Sequence, residues 1–347
     1  MPMTGKRKKP RKPTMVDVAA KAGVTIGTVS HVINKTAPIS GETTERVLEA
    51  IKELGYKPNS IARALRTQKS NVIGLLLPDV TNDFYAPVLS SFIDSAYTDG
   101  YTVLVVSYQY SGEREAVEME RLADKNVDGI LLFNGFDDLE LLRRMKAEDM
   151  PVVVADRRVE GIDLPTVEFD NIATASEVVG LMCRKGYRKI GFLSESIRLK
   201  NLKDRYEGYI KGLTGNGLPV RQEFIYISED MEMNNLEKGY SHMKQVLEST
   251  GPENLPDAIF ATTDLLGIGA ARAFREAGFR IPEEIGIVGF DNISFTDFVE
   301  PKLTTVDQDK VLMGRIAWEI MKEALDGEGN EVRHAVLPQR IILKGSC

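Results

Sequence analysis

The feature that most restricts this chain is a rhythm: short, nearly unbroken apolar runs alternate with amphipathic stretches of helix length. The runs are NVIGLLLPD (71–79), YTVLVVSYQ (101–109), VDGILLFNG (127–135) and MPVVVAD (150–156), separated by segments such as YAPVLSSFIDSAYTDG and EREAVEMERLADKN. A strand that is apolar on both sides must be buried on both faces, and strands alternating with helices build right-handed βαβ units around a parallel sheet. After TVEFD (166–170) the rhythm restarts with RKIGFLSES, EFIYIS, DAIFATTD and EIGIVGFD. Two doubly wound halves in series predict an α/β body of two parallel-sheet lobes with a cleft between them. We place that body at 71–347, with a first lobe of about 71–170 plus 304–332 and a second of about 171–303 plus 333–347.

The first seventy residues follow another pattern. The chain has a net charge of −7, yet residues 1–70 hold fourteen Lys and Arg against five acids, leaving the body strongly acidic. Such asymmetry predicts a nucleic-acid-facing module on an acidic body. Residues 1–13 read as a basic, disordered arm. At 14–57, Thr14 and Asp17 form a capping-box start, Val18, Ala19 and Ala22 an apolar stripe, and Gly23 a left-handed stop. Thr25 caps a second short helix with Val29 and Ile33 inward. Ser40 caps a third that buries Val47, Leu48, Ile51 and Leu54. Two helices joined by a three- to four-residue turn make a helix-turn-helix. On the outward face of the second helix, Thr25, Thr28 and Ser30 offer hydroxyls to phosphates, while Ile26, Gly27 and His31 point where base edges would lie. The competing reading is a small helical bundle that binds another protein.

VDVAAKAGV, TVSHVIN, RVLEAIKELGYKPN and IARAL, spread over Thr14 to Leu65, closely resemble the DNA-binding region of the lactose-repressor (LacI/GalR) family. The resemblance implies phosphate contacts from Thr14, Thr25, Thr28, Ser30, Asn34, Ser40 and Asn59, and base contacts from Ile26, Gly27 and His31. His31 stands where the family usually carries Arg, which removes the usual bidentate reader of guanine. For 58–70 it implies a hinge helix that orders on operator DNA and pairs with its dimer mate, with Ala62 facing the partner. Leu65 would then be wedged between base steps of the minor groove. The implied partners are double-stranded operator DNA and a second copy of the chain, and the helix APVLSSFIDSAY is the candidate dimer contact unless its stripe packs on its own sheet. RIILKGSC has no leucine heptads, so no tetramerisation helix is expected.

In doubly wound sheets ligands bind beyond the carboxyl ends of the strands. Those ends carry Asp79 to Tyr85, Asp156, Ser194 to Ser196, Thr262 to Asp264 and Asp291, a set of acids, hydroxyls and aromatics suited to a polyhydroxylated ligand. GLLLPDVTNDFYAPV, RYEGY, IFATTDLLGIGAARAFREAGFRIPEEIGIVGFDN and PKLTTVDQD are similar to the effector domains of the same family, which are periplasmic-binding-protein-like. Carried over residue by residue, the resemblance implies effector contacts from Phe84, Tyr85, Asp156, Arg205, Phe260, Thr263, Asp264, Asp291 and Gln308. Arg205 and Asp291 would form an Arg–carboxylate clamp across the cleft. SESIRLKNLKD does not resemble the purine-repressor version of that loop, which argues against a purine ligand, and the hydroxyl-suited crevice points to a carbohydrate effector.

Enzymatic readings find little support. GIGAAR (267–272) lacks the third glycine of a dinucleotide fingerprint and lies in a helical pattern, and His31, His242 and His334 have no metal spacing. No cofactor or metal is expected beyond the small-molecule effector. No apolar run approaches membrane-spanning length, and two distant cysteines suit a reducing cytoplasm. The sequence therefore predicts an effector-controlled, dimeric DNA-binding regulator, a repressor, with allosteric coupling between cleft and operator. The alternative is a sugar-binding or transport-associated protein of the same bilobed fold, and residues 14–65 discriminate against it.

Overall fold

Thr14 starts the first helix, α1 (Met15–Ala22), through reciprocal bonds: its backbone N–H donates to Asp17 Oδ2 at 2.7 Å and its Oγ1 accepts from the Asp17 N–H at 3.4 Å. Those bonds to Thr14 hold the Asp17 carboxyl below its ordinary pKa. Gly23, at φ +64°, ends α1 in the left-handed region where a side chain would be strained. The chain then turns by 103° into α2 (Ile26–Asn34), within the range of a helix-turn-helix. Ser40 caps α3 (Gly41–Leu54), and Arg46 Nη2 reaches back to the Ala22 carbonyl at 2.5 Å, satisfying the end of α1. Val18, Ala19, Val29, Val47, Ala50 and Tyr56 form the core. Leu48, expected inside, is 54% exposed. The inward stripe of α3 runs through Val47, Ala50, Ile51 and Leu54, and Leu48 lies one residue off it, about 100° around the helix.

The computed structural model describes residues 11, 13–34, 36–56, 69–136, 138–229, 235–327 and 332–347. It divides into two units, Met1–Ser70 and Asn71–Cys347. The basic arm, apart from 11 and 13, and the hinge positions Asn59, Ala62 and Leu65 lie outside the described residues.

In the larger unit, β1 (Val72–Leu77), β2 (Thr102–Ser107), β3 (Gly129–Phe133), β4 (Val152–Ala155), β5 (Thr166–Phe169) and β11 (His334–Leu337) form one sheet in the order β11-β5-β4-β3-β1-β2, parallel throughout. Its connections are the helices α4 (Tyr85–Thr98), α5 (Gly112–Asp124) and α6 (Leu139–Ala147). Strand alternation explains the unbroken apolar runs. Ile73, Leu75, Leu77, Leu131 and Phe133 pack on one side with Val88 and Phe92 of α4, while Leu76, Ile130 and Leu132 pack on the other with Met119 and Leu122 of α5. The inward stripe of α4 is thus used within its own lobe, leaving Ile93 and Tyr97 exposed.

The second lobe has β7 (Ile225–Ile227), β6 (Ile190–Ser194), β8 (Ala258–Ala261) and β9 (Gly286–Val288), parallel in that order. The helices α7 (Asn171–Arg184) and α8 (Lys200–Gly215) pack on one face, and α9 (Asn235–Ser249) and α10 (Asp264–Glu276) on the other. A Cβ at Gly269, within GIGAAR, would strike the Leu236 carbonyl, so this glycine permits close contact between α9 and α10.

The lobe boundaries need correction at the C-terminal crossings. β10 (Thr305–Gln308) was expected in the first lobe but lies along the second. Gly289 N–H donates to the Thr304 carbonyl and Asp291 N–H to that of Val306, at 2.9 and 3.0 Å. α11 (Lys310–Asp326) returns to the first lobe and buries Met313, Ala317 and Trp318 there. β11, expected in the second lobe, pairs with β5 as an edge strand of the first. β12 (Gln339–Ile342) then pairs antiparallel with β10. The chain therefore crosses between lobes three times, as expected, near 170, 309 and 338, with the last two crossings falling one strand later than the sequence rhythm indicated.

Candidate nucleic-acid interface and interlobe cleft

On the smaller unit, the start of α2 is a polar, solvent-facing corner. The Thr28 N–H donates to Thr25 Oγ1 at 3.1 Å and the two hydroxyls lie 2.9 Å apart. Asn34 Nδ2 is held on the Ser30 carbonyl at 2.7 Å, and Ser40 engages Thr43 at the start of α3. Ile26 is 49% exposed, and Gly27 and His31 are also exposed, with His31 Nδ1 2.9 Å from Thr36 Oγ1. Gly27 is informative. A Cβ there would meet only the Thr25 hydroxyl, at 3.6 Å, so the fold does not require glycine. A helical Gly costs about 1 kcal/mol relative to Ala, and close approach of another surface is the function that offsets such a cost.

In the larger unit, Asn82, Phe84, Tyr85, Asn134 and Asp156 of the first lobe face Glu195, Asn201, Arg205, Thr263 and Asp291 of the second around a narrow cleft. The strand-end rule placed most of them. Phe84 and Tyr85 follow β1 at the head of α4, with rings 5.2 Å apart at 81°. Asn134 and Asp156, just beyond β3 and β4, both sit at positive φ, which turns their side chains out of the strand direction. Asn134 Nδ2 donates to Tyr85 Oη at 3.3 Å and to Asp156 Oδ2 at 3.0 Å, and Asn201 Nδ2 donates across the cleft to the same Oδ2 at 2.7 Å. Asn134 Oδ1 and Asp156 Oδ1 are buried without a hydrogen-bond partner.

Arg205 and Asp291 are 3.7 Å apart, but both belong to the second lobe, so they form a pair on one wall and do not span the cleft. Arg205 lies 3.8 Å over the Phe290 ring and donates to Asn171 Oδ1 at 3.0 Å and the Thr262 carbonyl at 2.6 Å. Glu195 accepts from Thr262 Oγ1 and from Asn235 Nδ2, at 2.9 and 2.6 Å. Burial raises the pKa of Asp156, Glu195 and Asp291. Asp291 is pushed up to about 7 by burial even though Arg205 and Lys310 act to lower it.

Three expected contacts stand behind the cleft wall. Phe260 points into the second lobe's core, its ring 5.7 Å from Phe192 and 6.3 Å from Phe290, because it lies mid-strand with the parity of the α7–α8 face. Asp264 is buried under β10, where it accepts from the Thr305 hydroxyl and, at 2.8 Å, from the Ile293 N–H. Gln308 donates to Asp291 Oδ1 at 2.7 Å and accepts from Gln339 at 3.2 Å, and Gln339 accepts from Thr174 at 2.8 Å. Asn171, Gln308 and Gln339 all flank lobe crossings, so these bonds join the crossings to the Arg205–Asp291 pair. Asn134 and Tyr110 were missed although both follow strands and the strand-end rule would have found them. Asn201, at the start of α8, carried no such signal.

Residues 14–59 match the family model for bacterial regulatory proteins of the lacI family, and residues 179–347 match that for a periplasmic binding protein-like domain. The HTH-type transcriptional repressor PurR of Haemophilus influenzae is 33% identical over 343 residues, covering 95% of this chain and 98% of that protein. Catabolite control protein A of Priestia megaterium is 30% identical over 334 residues, covering 96% and 98%. Among solved structures, the complex of the transcriptional regulator CelR with cellobiose superposes with a TM-score of 0.72 at 28% identity, covering 96% of this chain and 100% of that one.

Proposed function

The chain belongs to the lacI family of bacterial regulatory proteins, and from that premise we propose that it binds a two-fold symmetric operator as a homodimer while a carbohydrate in the interlobe cleft sets its operator affinity. Members of the family are DNA-binding transcriptional regulators, not enzymes. No single helix among the described residues is long and apolar enough to cross a membrane.

One helix-turn-helix makes few base contacts, and dimers of this motif read paired half-sites. The exposed Ile26, the unneeded glycine at 27 and His31 support α2 as the element that enters the major groove. We assign Thr14, Thr25, Thr28, Ser30, Asn34, Ser40 and Asn59 to phosphates and Leu65 to the minor groove, where the hinge helices pair with Ala62 facing the partner copy.

The observation that carries the carbohydrate reading is the pair of buried, unpartnered acceptors, Asn134 Oδ1 and Asp156 Oδ1, beside three further acidic or aromatic groups, Asp291, Glu195 and Phe84. Buried acceptors left unpaired are costly, and a ligand rich in hydroxyl donors relieves that cost. Among the described residues Arg205 is the one cation lining the cleft, and it is already engaged by Asn171, Thr262 and Asp291, which disfavours a phosphorylated ligand. The related CelR is solved with cellobiose. A ligand that touches Asp156 on one lobe and Arg205 and Asp291 on the other prefers one lobe arrangement, and only such a preference can shift operator affinity.

The test is to titrate sugars, sugar phosphates and purines against the operator complex and repeat each hit with Asp291→Ala. A true effector changes operator affinity about 5- to 150-fold and loses that effect in the variant. A hit that acts undiminished on Asp291→Ala would show that this cleft is not its site.

A further inference from the structure

The end of α2 is closed by a residue outside the set expected to contact DNA. Thr36 donates its backbone N–H to the His31 carbonyl at 3.3 Å, the bond by which a chain leaving a helix folds back on the last turn. Its hydroxyl oxygen lies 2.9 Å from Nδ1 of the His31 ring. One residue thus fixes both the backbone and the side chain of His31, and Asn34 braces the same turn through the Ser30 carbonyl. Among the described residues Nε2, the far nitrogen of the ring, has no partner, and both His31 and Thr36 are exposed. His31 lies one turn beyond Gly27 on the same face of α2, and Gly27 leaves that flank of the ring bare of side chain.

An imidazole discriminates bases only if its orientation is fixed. Rotation about χ2 is broad and roughly two-fold, so a loose ring offers a nitrogen or a C–H edge to the same base. The Thr36 hydroxyl can donate to Nδ1 or accept from it, so the anchor holds in every protonation state of the ring. We propose that Thr36 is a positioning residue for operator readout: it occupies Nδ1 and leaves Nε2 as the single atom with which His31 meets a base edge. The proposal rests on the assignment of α2 to the major groove and adds the residue that orients its reader. Because the ring is ordered before DNA arrives, binding does not have to order it. Nε2 carries a proton in two of the three states of the ring. A lone N–H finds two adjacent acceptors, N7 and O6, on guanine, whereas adenine sets an amino donor beside its N7 and cytosine presents an amino donor. His31 therefore prefers guanine, through one hydrogen bond.

The experiment selects an operator from a randomised duplex library with the full chain. Affinities of the wild type, His31→Ala, Thr36→Val and Thr36→Ser are then measured for that operator, its single base-pair replacements and random DNA. Valine keeps the branched shape of Thr36 without the hydroxyl, and serine keeps the hydroxyl; position 36 is exposed, so the fold tolerates both. The base pair at which His31→Ala loses discrimination is the one that His31 reads. There the wild type should prefer guanine to adenine by about 2- to 12-fold per half-site, the range of a single hydrogen bond. Thr36→Val should lose most of that preference and Thr36→Ser should keep it, with preferences at the other positions unchanged in both. Random-sequence affinity should fall far less than operator affinity in Thr36→Val. A guanine preference that survives Thr36→Val, a preference there for another base, or unchanged preferences in His31→Ala would overturn the proposal. So would equal losses on operator and random DNA, the signature of a phosphate contact. A library that enriches no sequence would overturn operator binding as well.

Discussion

Asp291 sits under strain that has a measurable sign. Its carboxyl is buried and its pKa is raised from 3.8 to about 7, so the folded protein holds this proton more tightly than the unfolded chain does. Stability is therefore lost as pH rises through the interval from about 4 to about 7, where the unfolded carboxyl has ionised and the folded one resists. A shift of about three units corresponds to roughly 4 kcal/mol at full development near pH 8, and to about 2 kcal/mol near pH 5. Asp291→Asn keeps the acceptor for Gln308 and removes the charge. The variant should be more stable than the wild type by about 2 kcal/mol near pH 5, rising to about 4 kcal/mol near pH 8 as an upper bound. In a unit of this size each kcal/mol raises Tm by about 2–4 °C. Urea unfolding at the two pH values measures the difference, and operator titration near pH 8, where wild-type Asp291 is ionised, should show the effector response lost. A more stable, unresponsive protein is the signature of a charge kept for ligand binding. A variant less stable than wild type near pH 8, or a gap that does not widen with pH, would refute the reasoning.

Two further outcomes follow from packing and from the hinge. Gly208 lets α8 approach α7: a Cβ there would strike the Ile172 carbonyl and come within 2.7 Å of Ala175 Cβ, whereas Gly215 on the same helix has nothing within 4 Å. Gly208→Ala should lower stability by about 1–3 kcal/mol while Gly215→Ala is neutral or slightly stabilising, which parallel thermal melts will show; equal effects would remove the close-packing argument. Leu65→Ala should weaken operator binding by about 2–4 kcal/mol, the scale of a lost wedge between base steps, and random-sequence binding far less, since the cations that supply the salt-dependent term remain. Equal losses on both DNAs in a salt-series binding assay would mean that Leu65 is not a wedge.

Sequence alone determined whatever rests on rules that act over a few residues. The capping of α1 by Thr14 and Asp17, its left-handed stop at Gly23 and the apolar runs of β1 to β9 appear where they were expected, because a cap spans three residues and strand alternation spans two. The strand-end rule likewise brought Phe84, Tyr85, Asp156, Thr263 and Asp291 to one cleft, since parallel strands all point their carboxyl ends the same way. Tertiary structure decided the rest. Phe260 has a cleft residue's neighbourhood in sequence, yet strand parity turns it into the core. Asp264 was claimed by Thr305 and Ile293, which no local pattern ties to it. The crossings near 309 and 338 depend on which sheet edge β10 and β11 find, and Leu48 depends on where the stripe of α3 meets α1. The bond that closes the cleft joins Asn201 to Asp156 across 45 residues, and the bond that ties two lobe crossings joins Thr174 to Gln339 across 165. Contacts at such separations are set by how finished sheets and helices stack, so they exist only once the chain has folded.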